Sequence, residues 1–510
     1  MNDIVRINQS DNVAVTLKDL KPEKELKWSE EYDDKREISV KDKIPSGHKI
    51  ALTDMETGDK VVKYGNPIGR AKKRIRVGEW VHTHNLVTNL DKDSDRSYIY
   101  SPESSLKTAP PNQKAKTFDG YVRENGKVGI RNEIWLISGV GCINKLLENI
   151  EKKAEQKFSE ILAGKNIDGI KTITHPYGCS QLGSDLVNTQ KILAGLAKHP
   201  NAAGVLFCSL GCEENTVESF KKVMGNYNEK RIKFLSFQDV EDEIHQALTH
   251  IEDLLGYAAR FQKEQCLLEN LNLGLKCGGS DSFSGITANP LLGRVSDMLI
   301  SSGGKAILSE IPEMFGAEHV LMNRAQNETL FENIVKVIND FKQYYRDHGQ
   351  EIYENPSPGN LEGGITTLEE KSLGNIEKGG TGPIVGVKEY GETIDREKGV
   401  YILESPGNDL VSTTALAAAG AHIVLFTTGM GTPYGGPVPT VKISSNNELN
   451  DRKSSWIDFN AGSIIEGQNM ADAKEELFEY ILDLSSGEKR TLNEIHNMEE
   501  IAIFKNGVTL

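Results

Sequence analysis

The chain has 510 residues, and this length predicts roughly two to four domains rather than one. Hydrophobic residues make up 38% of the chain and charged residues 26%, as is typical of soluble globular proteins. A formal net charge of −15 disfavours nucleic acid or an anionic membrane as the main partner, although a local cluster of lysine or arginine can still bind an acidic substrate.

The chain carries no signal for export or membrane insertion. No apolar run reaches the roughly 20 residues that span a bilayer, and the first residues lack a basic segment followed by an apolar one. We therefore expect a cytoplasmic protein, whose six cysteines serve metal binding, catalysis or burial rather than disulfides. A phosphate-binding glycine loop is absent, so no nucleotide cofactor is expected.

Residues 1–90 contain short apolar stretches separated by frequent turns, which predicts a small β-rich module. His82 and His84 stand two residues apart, and on a strand they would point to the same face and could reach one metal. Such a pair alone is weak evidence for a metal, and surface or hydrogen-bonded histidines are the more frequent outcome. The following residues, 91–117, are polar and include Pro110 and Pro111, which predicts a linker.

From residue 118 onward, predicted strands alternate with predicted helices, which is typical of a parallel α/β sheet. We assign residues 118–354 to this central domain. Ligands of such sheets bind beyond the carboxyl ends of the strands. Side chains with metal-binding or acid–base chemistry follow those ends, and we expect them to share one crevice: Cys142, His175, Cys179, Cys208, Cys212, Glu213, Cys277, Asp281, Glu310 and Glu313.

The stretch 276–290 concentrates a thiol, a carboxylate, hydroxyl groups and glycines between a predicted strand and a predicted helix. Glycines let a backbone approach a ligand closely, so we favour a functional site over a structural turn. Two metal centres remain open. One is an iron–sulfur cluster on Cys142, Cys179, Cys212 and Cys277; the favoured one is a single divalent metal held by histidine and carboxylate, with or without one thiolate.

Residues 355–383 are rich in glycine and proline and are predicted to connect two domains, with a short helix capped by Thr366 or Thr367. A second α/β domain, residues 384–510, is predicted to follow. Its glycine-rich loop at 427–437 comes after a predicted strand and offers backbone N–H groups to an anion such as a carboxylate. The last predicted element is a strand at 501–504.

Seven motifs are spread along the chain: 175–179 (HPYGC), 210–213 (LGCE), 276–281 (KCGGSD), 284–290 (SGITANP), 355–360 (NPSPGN), 370–374 (EKSLG) and 427–429 (TTG). Together they resemble the altronate/galactarate dehydratase family of sugar-acid hydro-lyases, and the resemblance runs almost from end to end. The N-terminal module is similar to the SAF-type domain of that family. One position departs from the pattern, because the family usually has arginine where this chain has Met430. Arg123, Arg131 or Lys276 could take over the role of that arginine, or the arginine is dispensable.

The resemblance implies that the protein dehydrates D-altronate to 2-dehydro-3-deoxy-D-gluconate in hexuronate catabolism. The alternatives are dehydration of galactarate or of another aldonate or aldarate, and binding of a sugar acid without catalysis. The resemblance also implies Fe(II) or Mn(II) as cofactor and a homo-oligomer, which we expect to be a dimer.

The chemistry of this implied reaction leads to a set of hypothetical site residues. The implied catalytic residues are His175 or Lys371 as base, with Glu213 or Asp281 as acid. The implied metal ligands are His48, His82, His84, Cys277 and Glu310, with Asp281 as a further candidate. The implied substrate-binding residues are Arg131, Lys276, Gly278, Gly279, Ser280, Ser284, Asn289, Asn360, Thr428, Gly429 and Gly431.

Overall fold

The computed structural model describes residues 3–28, 36–90, 98–102, 116–164 and 166–507. The predicted linker at 91–117 lies mostly outside these described residues. The N-terminal module consists of short antiparallel strands in sheets ordered β1-β2-β5-β8, β3-β4 and β6-β7-β9. These strands are β1 (Ile4–Val5), β2 (Val13–Thr16), β3 (Glu25–Trp28), β4 (Arg36–Ser39), β5 (Lys49–Ala51), β6 (Lys60–Lys63), β7 (Asn66–Ala71), β8 (Trp80–Val81) and β9 (Leu86–Val87).

The second domain is built on a parallel sheet ordered β13-β12-β14-β15, with a small antiparallel sheet of β10, β11 and β16 beside it. Every residue of β14 is buried, as expected for a strand covered by helices on both faces. The strands are β10 (Thr117–Val122), β11 (Val128–Gly129), β12 (Glu133–Ser138), β13 (Gly169–Ile173), β14 (Ala202–Ser209), β15 (Ile232–Ser236) and β16 (Lys263–Leu267). The helices are α1 (Asn144–Lys157), α2 (Ser159–Leu162), α3 (Gly183–Ala197), α4 (Val217–Met224) and α5 (Glu243–Ala258).

The third domain contains a parallel sheet ordered β19-β20-β18-β17-β21-β22-β23. Its strands are β17 (Asn272–Cys277), β18 (Lys305–Leu308), β19 (Ile384–Lys388), β20 (Gly399–Leu403), β21 (Ile423–Thr428), β22 (Thr440–Ser444) and β23 (Phe459–Asn460). Its helices are α6 (Ala288–Ser301), α7 (Glu318–Met322), α8 (Glu328–Asp347), α9 (Pro358–Glu362), α10 (Leu368–Ile376), α11 (Asp409–Ala418), α12 (Asn447–Arg452), α13 (Met470–Ser485) and α14 (Leu492–Ile495).

The predicted fold class, parallel α/β domains after a β-rich module, is confirmed. The sheets, however, do not divide at the predicted connection 355–383. Strand β17 pairs directly with β21, and β18 pairs with β20, so the division falls between β16 and β17. The predicted strand at 501–504 is also wrong, because these residues form no ladder.

The N-terminal module packs against the third domain through a buried ion cluster. Lys49 and Lys63 each place their Nζ 2.8 Å from a different carboxylate oxygen of Glu370, at the start of α10. Thr88 also donates a hydrogen bond to Glu369 of the same helix. These contacts fix the position of α10, which carries site residues on its other turns. Within the described ranges, every helix is too short or too polar to cross a bilayer.

Candidate active site

A cavity of about 380 Å³ opens at the carboxyl end of β17. Several predicted site residues line it, namely Cys277, Gly278, Gly279, Asn360 and Lys371. The other lining residues are Glu313, Glu354, Asn355, Ser357, Gly407 and Asp409. The cavity therefore brings the glycine-rich stretch after β17 together with the 355–371 region.

Buried lysines and glutamates form the wall of this cavity. Lys371 Nζ lies 2.9 Å from Glu313 Oε1. Behind them, Glu310 accepts from Lys276 and, at 2.9 Å, from Lys378. Lys276 also lies 3.0 Å from Asp409. All of these side chains except those of Asp409 and Lys371 are buried, and the side chain of Lys371 is only 9% exposed, so the paired charges attract each other strongly in a medium of low polarity.

Three elements deliver these groups. Cys277 is the last residue of β17, and Glu310 and Glu313 follow β18, where Glu310 has a positive φ of 70°. Such a φ is uncommon outside glycine and marks a position that its surroundings hold in place. Lys371 lies on α10 and Lys378 in the turn that continues it.

Sequence reasoning missed Asn375 and Lys378 as site residues. Together with Lys371 they occupy positions i, i+4 and i+7, which lie on one face of a helix. This polar spacing is the signal that could have found them. Asn375 Oδ1 lies 3.1 Å from Cys277 Sγ, and Lys378 reaches Glu310. Asp409 was also left out of the predicted site, and Glu313 was predicted at the crevice but given no role there.

The surroundings fix the protonation of the three reactive groups. Burial raises the pKa of the Cys277 thiol to about 12, and the charges of Glu310 and Glu313 add to this effect. Burial would also raise the pKa of Glu313, but the neighbouring lysines, Lys371 first, lower it to about 2. Burial would lower the pKa of Lys371, but the charge and hydrogen bond of Glu313, together with the neighbouring Cys277 and Glu310, outweigh burial and raise this pKa. Near neutral pH the cavity therefore presents a thiol, a carboxylate and an ammonium group.

One group of donors fits a metal ion in kind and spacing. Donor atoms of Cys277, Glu310 and Glu313 all lie within 4.8 Å of one another, and thiolate with carboxylate is an acceptable set for Fe(II) or Mn(II). Both oxygens of Glu310 already have ammonium partners, so a bound cation would share this carboxylate with Lys276 and Lys378.

The predicted metal histidines do not join this group. His82 begins a tight turn instead of continuing a strand, and His84 is exposed, so the two-residue spacing does not place them on one face. His48 uses both ring nitrogens: Nδ1 accepts from Trp80 at 3.1 Å, and Nε2 donates to the Glu362 carbonyl at 3.1 Å. His82 Nδ1 lies 2.9 Å from Thr366 Oγ1. These histidines thus line the contact between the first and third domains.

Asp281 is part of the loop framework. Its Oδ1 accepts from Ser284 N at 2.8 Å, Ser284 Oγ at 2.8 Å and Ser445 Oγ at 2.7 Å, and its Oδ2 accepts from Asn446 at 2.9 Å. A carboxylate with both oxygens engaged in this way orders the backbone around it. Asp281 therefore orders this loop, and the acid role predicted for it stays a prediction.

Other predicted substrate-binding residues also form the scaffold behind the cavity. Asn289 accepts from Thr427 at 2.7 Å and donates to the Gly374 carbonyl at 2.8 Å. Thr428 accepts from the N–H of Gly431 at 2.8 Å. The remaining contacts of this scaffold join Gly429 N to the Gly279 carbonyl and Asn360 Nδ2 to the Ser280 carbonyl.

His175, Glu213 and Arg131 lie in the second domain and are occupied there. His175 donates to the Ser138 carbonyl at 2.8 Å and accepts from the N–H of Tyr177 at 3.1 Å, and burial lowers its pKa to about 4. Glu213 accepts two backbone N–H groups of its own turn. Arg131 pairs with Glu494 at 2.7 Å. The structure does not bring them to the Cys277 cavity, because the strand ends belong to two separate sheets.

Comparison with known proteins gives matches along the whole chain. Residues 2–89 match the altronate/galactarate dehydratase SAF domain, residues 120–259 the second domain of D-galactarate dehydratase/altronate hydrolase, and residues 268–509 the C-terminal domain of D-galactarate/altronate dehydratase. Together with the charged cavity, these matches define the class of protein, a hydro-lyase.

Curated relatives agree with these matches. The chain is 46% identical over 512 residues to the altronate dehydratase of Bacillus subtilis (strain 168), covering 100% of both chains. It is 46% identical to the altronate dehydratase of Escherichia coli (strain K12), covering 99% of both. It is 31% identical to the galactarate dehydratase (L-threo-forming) of Escherichia coli (strain K12), covering 98% of this chain and 96% of the relative. The chain belongs to the altronate/galactarate dehydratase family.

Proposed function

We propose that the protein dehydrates D-altronate to 2-dehydro-3-deoxy-D-gluconate, a step of hexuronate catabolism. Similarity to two altronate dehydratases over the full chain supports this substrate. The observation that carries the proposal is the paired carboxylate and ammonium of Glu313 and Lys371, which face the Cys277 cavity at 2.9 Å from each other.

The dehydration needs one proton removed from C2 and one delivered to the departing 3-hydroxyl group. Glu313 is the base and Lys371 the acid, because the first is held as a carboxylate and the second as an ammonium. The substrate carboxylate shares the charge of the lysines, and this raises the low pKa of Glu313 toward that of a useful base. After water leaves, the proton on Glu313 returns to Lys371 along their hydrogen bond, so the pair is reset.

The remaining groups hold and polarise the substrate. Asn355 and Asn360 offer amide oxygens at 3.0 and 3.3 Å from Lys371 Nζ, and they fix this ammonium at the cavity wall. Fe(II) or Mn(II), held by Cys277 and Glu310 of the donor group at the cavity, would supply positive charge to the substrate carboxylate and so stabilise the negative charge that develops when the C2 proton leaves.

Anaerobic turnover with added Fe(II) or Mn(II), followed by detection of the 2-keto-3-deoxy acid, tests the proposal. D-Altronate, galactarate, D-mannonate and D-gluconate are compared in parallel. A preference for D-altronate supports the proposal. A preference for another acid keeps the hydro-lyase chemistry and overturns the substrate. Metal binding without turnover of any of these acids would favour a sugar-acid-binding homologue without catalysis.

Two further features belong to the proposal. We place the reaction in the cytoplasm, since all six cysteines are free thiols, as in reducing compartments. We also propose a homodimer, for which the exposed apolar side chains of Val187 and Val223 on the neighbouring helices α3 and α4 provide a candidate surface. Light scattering of the purified protein measures the mass and tests the dimer.

A further inference from the structure

Three cysteines outside the proposed active site lie at one edge of the second domain. Cys142, Cys179 and Cys212 follow β12, β13 and β14, and these strands are direct neighbours in the order β13-β12-β14. All three cysteines are exposed. Because neighbouring parallel strands are about 4.8 Å apart, the three turns begin close together at the same edge.

Backbone contacts hold these three turns against each other. Gly141, next to Cys142, donates to the Tyr177 carbonyl at 2.7 Å. Buried Asn215, which follows Cys212 in the third turn, connects this turn to the other two. Its side chain donates to the Gly139 carbonyl at 2.9 Å, and its backbone N–H donates to the Gly178 carbonyl at 3.2 Å. A Cβ on Gly178, whose φ is +99°, would lie 2.2 Å from the Gly139 carbonyl oxygen. Only glycine allows the turn before Cys179 to approach so closely.

The spacing of the sulfur atoms distinguishes between metal centres. A single zinc ion with Zn–S bonds of about 2.3 Å needs its thiolates within about 4 Å of each other. Within the described part of the chain, the group of donors closer than 4.8 Å comprises Cys277, Glu310 and Glu313, and not these three cysteines. A wider set of thiols at one edge suits a larger centre, in which each sulfur binds a different iron.

Unused hydrogen-bond donors surround the same turns. Gln181 is 2% exposed, and its Oε1 accepts from the N–H of Gly178 and from Thr189. Its Nε2 is buried without a partner among the described residues, as is Ser236 Oγ, which lies beside Gly211. Gln238 Nε2 donates to Cys212 Sγ at 3.6 Å. Donors of this kind stabilise the sulfur atoms of iron–sulfur clusters and tune their potentials.

We propose that Cys142, Cys179 and Cys212 hold a [4Fe–4S] cluster through three of its irons, and that the fourth iron is open to an oxygen ligand. Cys277, the fourth member of the cysteine set considered from the sequence, is buried at the end of β17 in the other sheet, where its thiol contacts Glu313 and Asn375. The cluster site is thus independent of the dehydration proposed for the Cys277 cavity.

Anaerobic reconstitution of the full chain with Fe(II), Fe(III) and sulfide tests the site. We expect about four irons and four sulfides per chain, with a broad visible absorption band and an electron paramagnetic resonance signal after reduction. Each of C142S, C179S and C212S should lose the band and most of the sulfide. C266S and C277S should keep both, because Cys266 is buried in β16 and Cys277 lies in the other domain. Circular dichroism verifies that every variant is folded.

Three results would overturn the proposal. The first is a reconstituted band that survives in a C142S/C179S/C212S triple variant. The second is loss of the band in C277S, which would place the cluster elsewhere. The third is purified protein that takes up a single zinc on these cysteines and no sulfide. These measurements do not require turnover, so they test the cluster independently of whether the proposed dehydration occurs.

Discussion

The positions of Glu313 and His175 show at the residue scale why similar acid–base side chains differ in role. Glu313 keeps its charge because Lys371 and two further lysines surround it, and it faces a cavity. His175 is buried, with both ring nitrogens bound to backbone groups. A side chain with no free nitrogen cannot take a substrate proton, so we expect His175 to be structural.

Replacing His175 with glutamine tests this expectation through the pH dependence of stability. The folded-state pKa is about 4 against an ordinary 6.5, so the unfolded chain binds a proton first as the pH falls. The free energy of unfolding of the wild type therefore falls by up to about 3 kcal/mol between pH 6.5 and 4 because of this residue. In urea unfolding, the free energy of unfolding of H175Q should fall less between pH 6.5 and 4 than that of the wild type. The kcat of H175Q should stay within twofold of the wild-type value. The exposed control, H348Q, should follow the wild type. A thousandfold fall in kcat for H175Q would restore His175 as the base.

Substitution of Met430 tests whether the side chain at this position affects substrate binding. Its side chain lies over Gly359, where a Cβ would come within 2.9 Å of the thioether sulfur, and it also approaches Gly279 of the cavity wall. An arginine there would add a positive charge beside the site. We expect M430R to lower KM for galactarate about tenfold relative to the matched control M430L, equivalent to about 1.4 kcal/mol. Equal KM values in the two variants would show that the side chain at this position does not reach the substrate.

At the element scale, strands and helices with continuous apolar patterns are predictable from the sequence. The sequence predicts strands at 133–138 and 232–236 and a long helix at 327–348. β12 and β15 have these bounds, and α8 differs from the predicted helix by one residue at each end. Residues 355–383 show why composition fails elsewhere. Their glycines and prolines predict a connection, but α9 and α10 in this segment carry Asn360 and Lys371 into the cavity. Composition does not reveal the buried polar contacts that hold such a segment in place.

Contacts between residues that are far apart in the sequence also cannot be predicted from the spacing of residue types along the chain. Lys371 meets Glu313 across 58 residues, and Lys49 meets Glu370 across 321. The tertiary fold sets such pairs, so the sequence supplied the residue types of the site but not their partners. It also placed His82 on a strand, whereas the chain turns there.

Glu370 is the residue through which α10 holds the N-terminal module, and E370Q tests this contact. Removing its charge leaves Lys49 and Lys63 buried without their carboxylate, which we expect to cost about 3–5 kcal/mol. Loss of the Lys49 proton relieves part of this cost, because burial already lowers the pKa of Lys49 to about 8. Hydrogen-exchange mass spectrometry should show faster exchange at 49–63 and 366–376. E362Q, at an exposed position, is the control; equal exchange in both variants would contradict this account.

For the whole molecule, the acidic net charge holds at the Cys277 cavity too, where the ammonium groups of Lys276, Lys371 and Lys378 lie among the carboxylates of Glu310, Glu313, Glu354 and Asp409. The chain carries −15, and the lysines that line and back this cavity offer positive charge to an acidic substrate. The sequence pattern predicts one crevice for all strand ends, but the chain builds two parallel sheets. The cavity with Glu313 and Lys371 therefore belongs to the third domain, and the exposed cysteines belong to the second.

The central claim is that Lys371 delivers the proton to the departing hydroxyl group. The measurement that tests it is kcat/KM for D-altronate, under anaerobic conditions with Fe(II), in the wild type, K371M and the exposed control K336M. We predict a loss of about 10³-fold for K371M, as for removal of a general acid, and wild-type values for K336M. A K371M enzyme within threefold of the wild type, with unchanged metal content, would contradict the account.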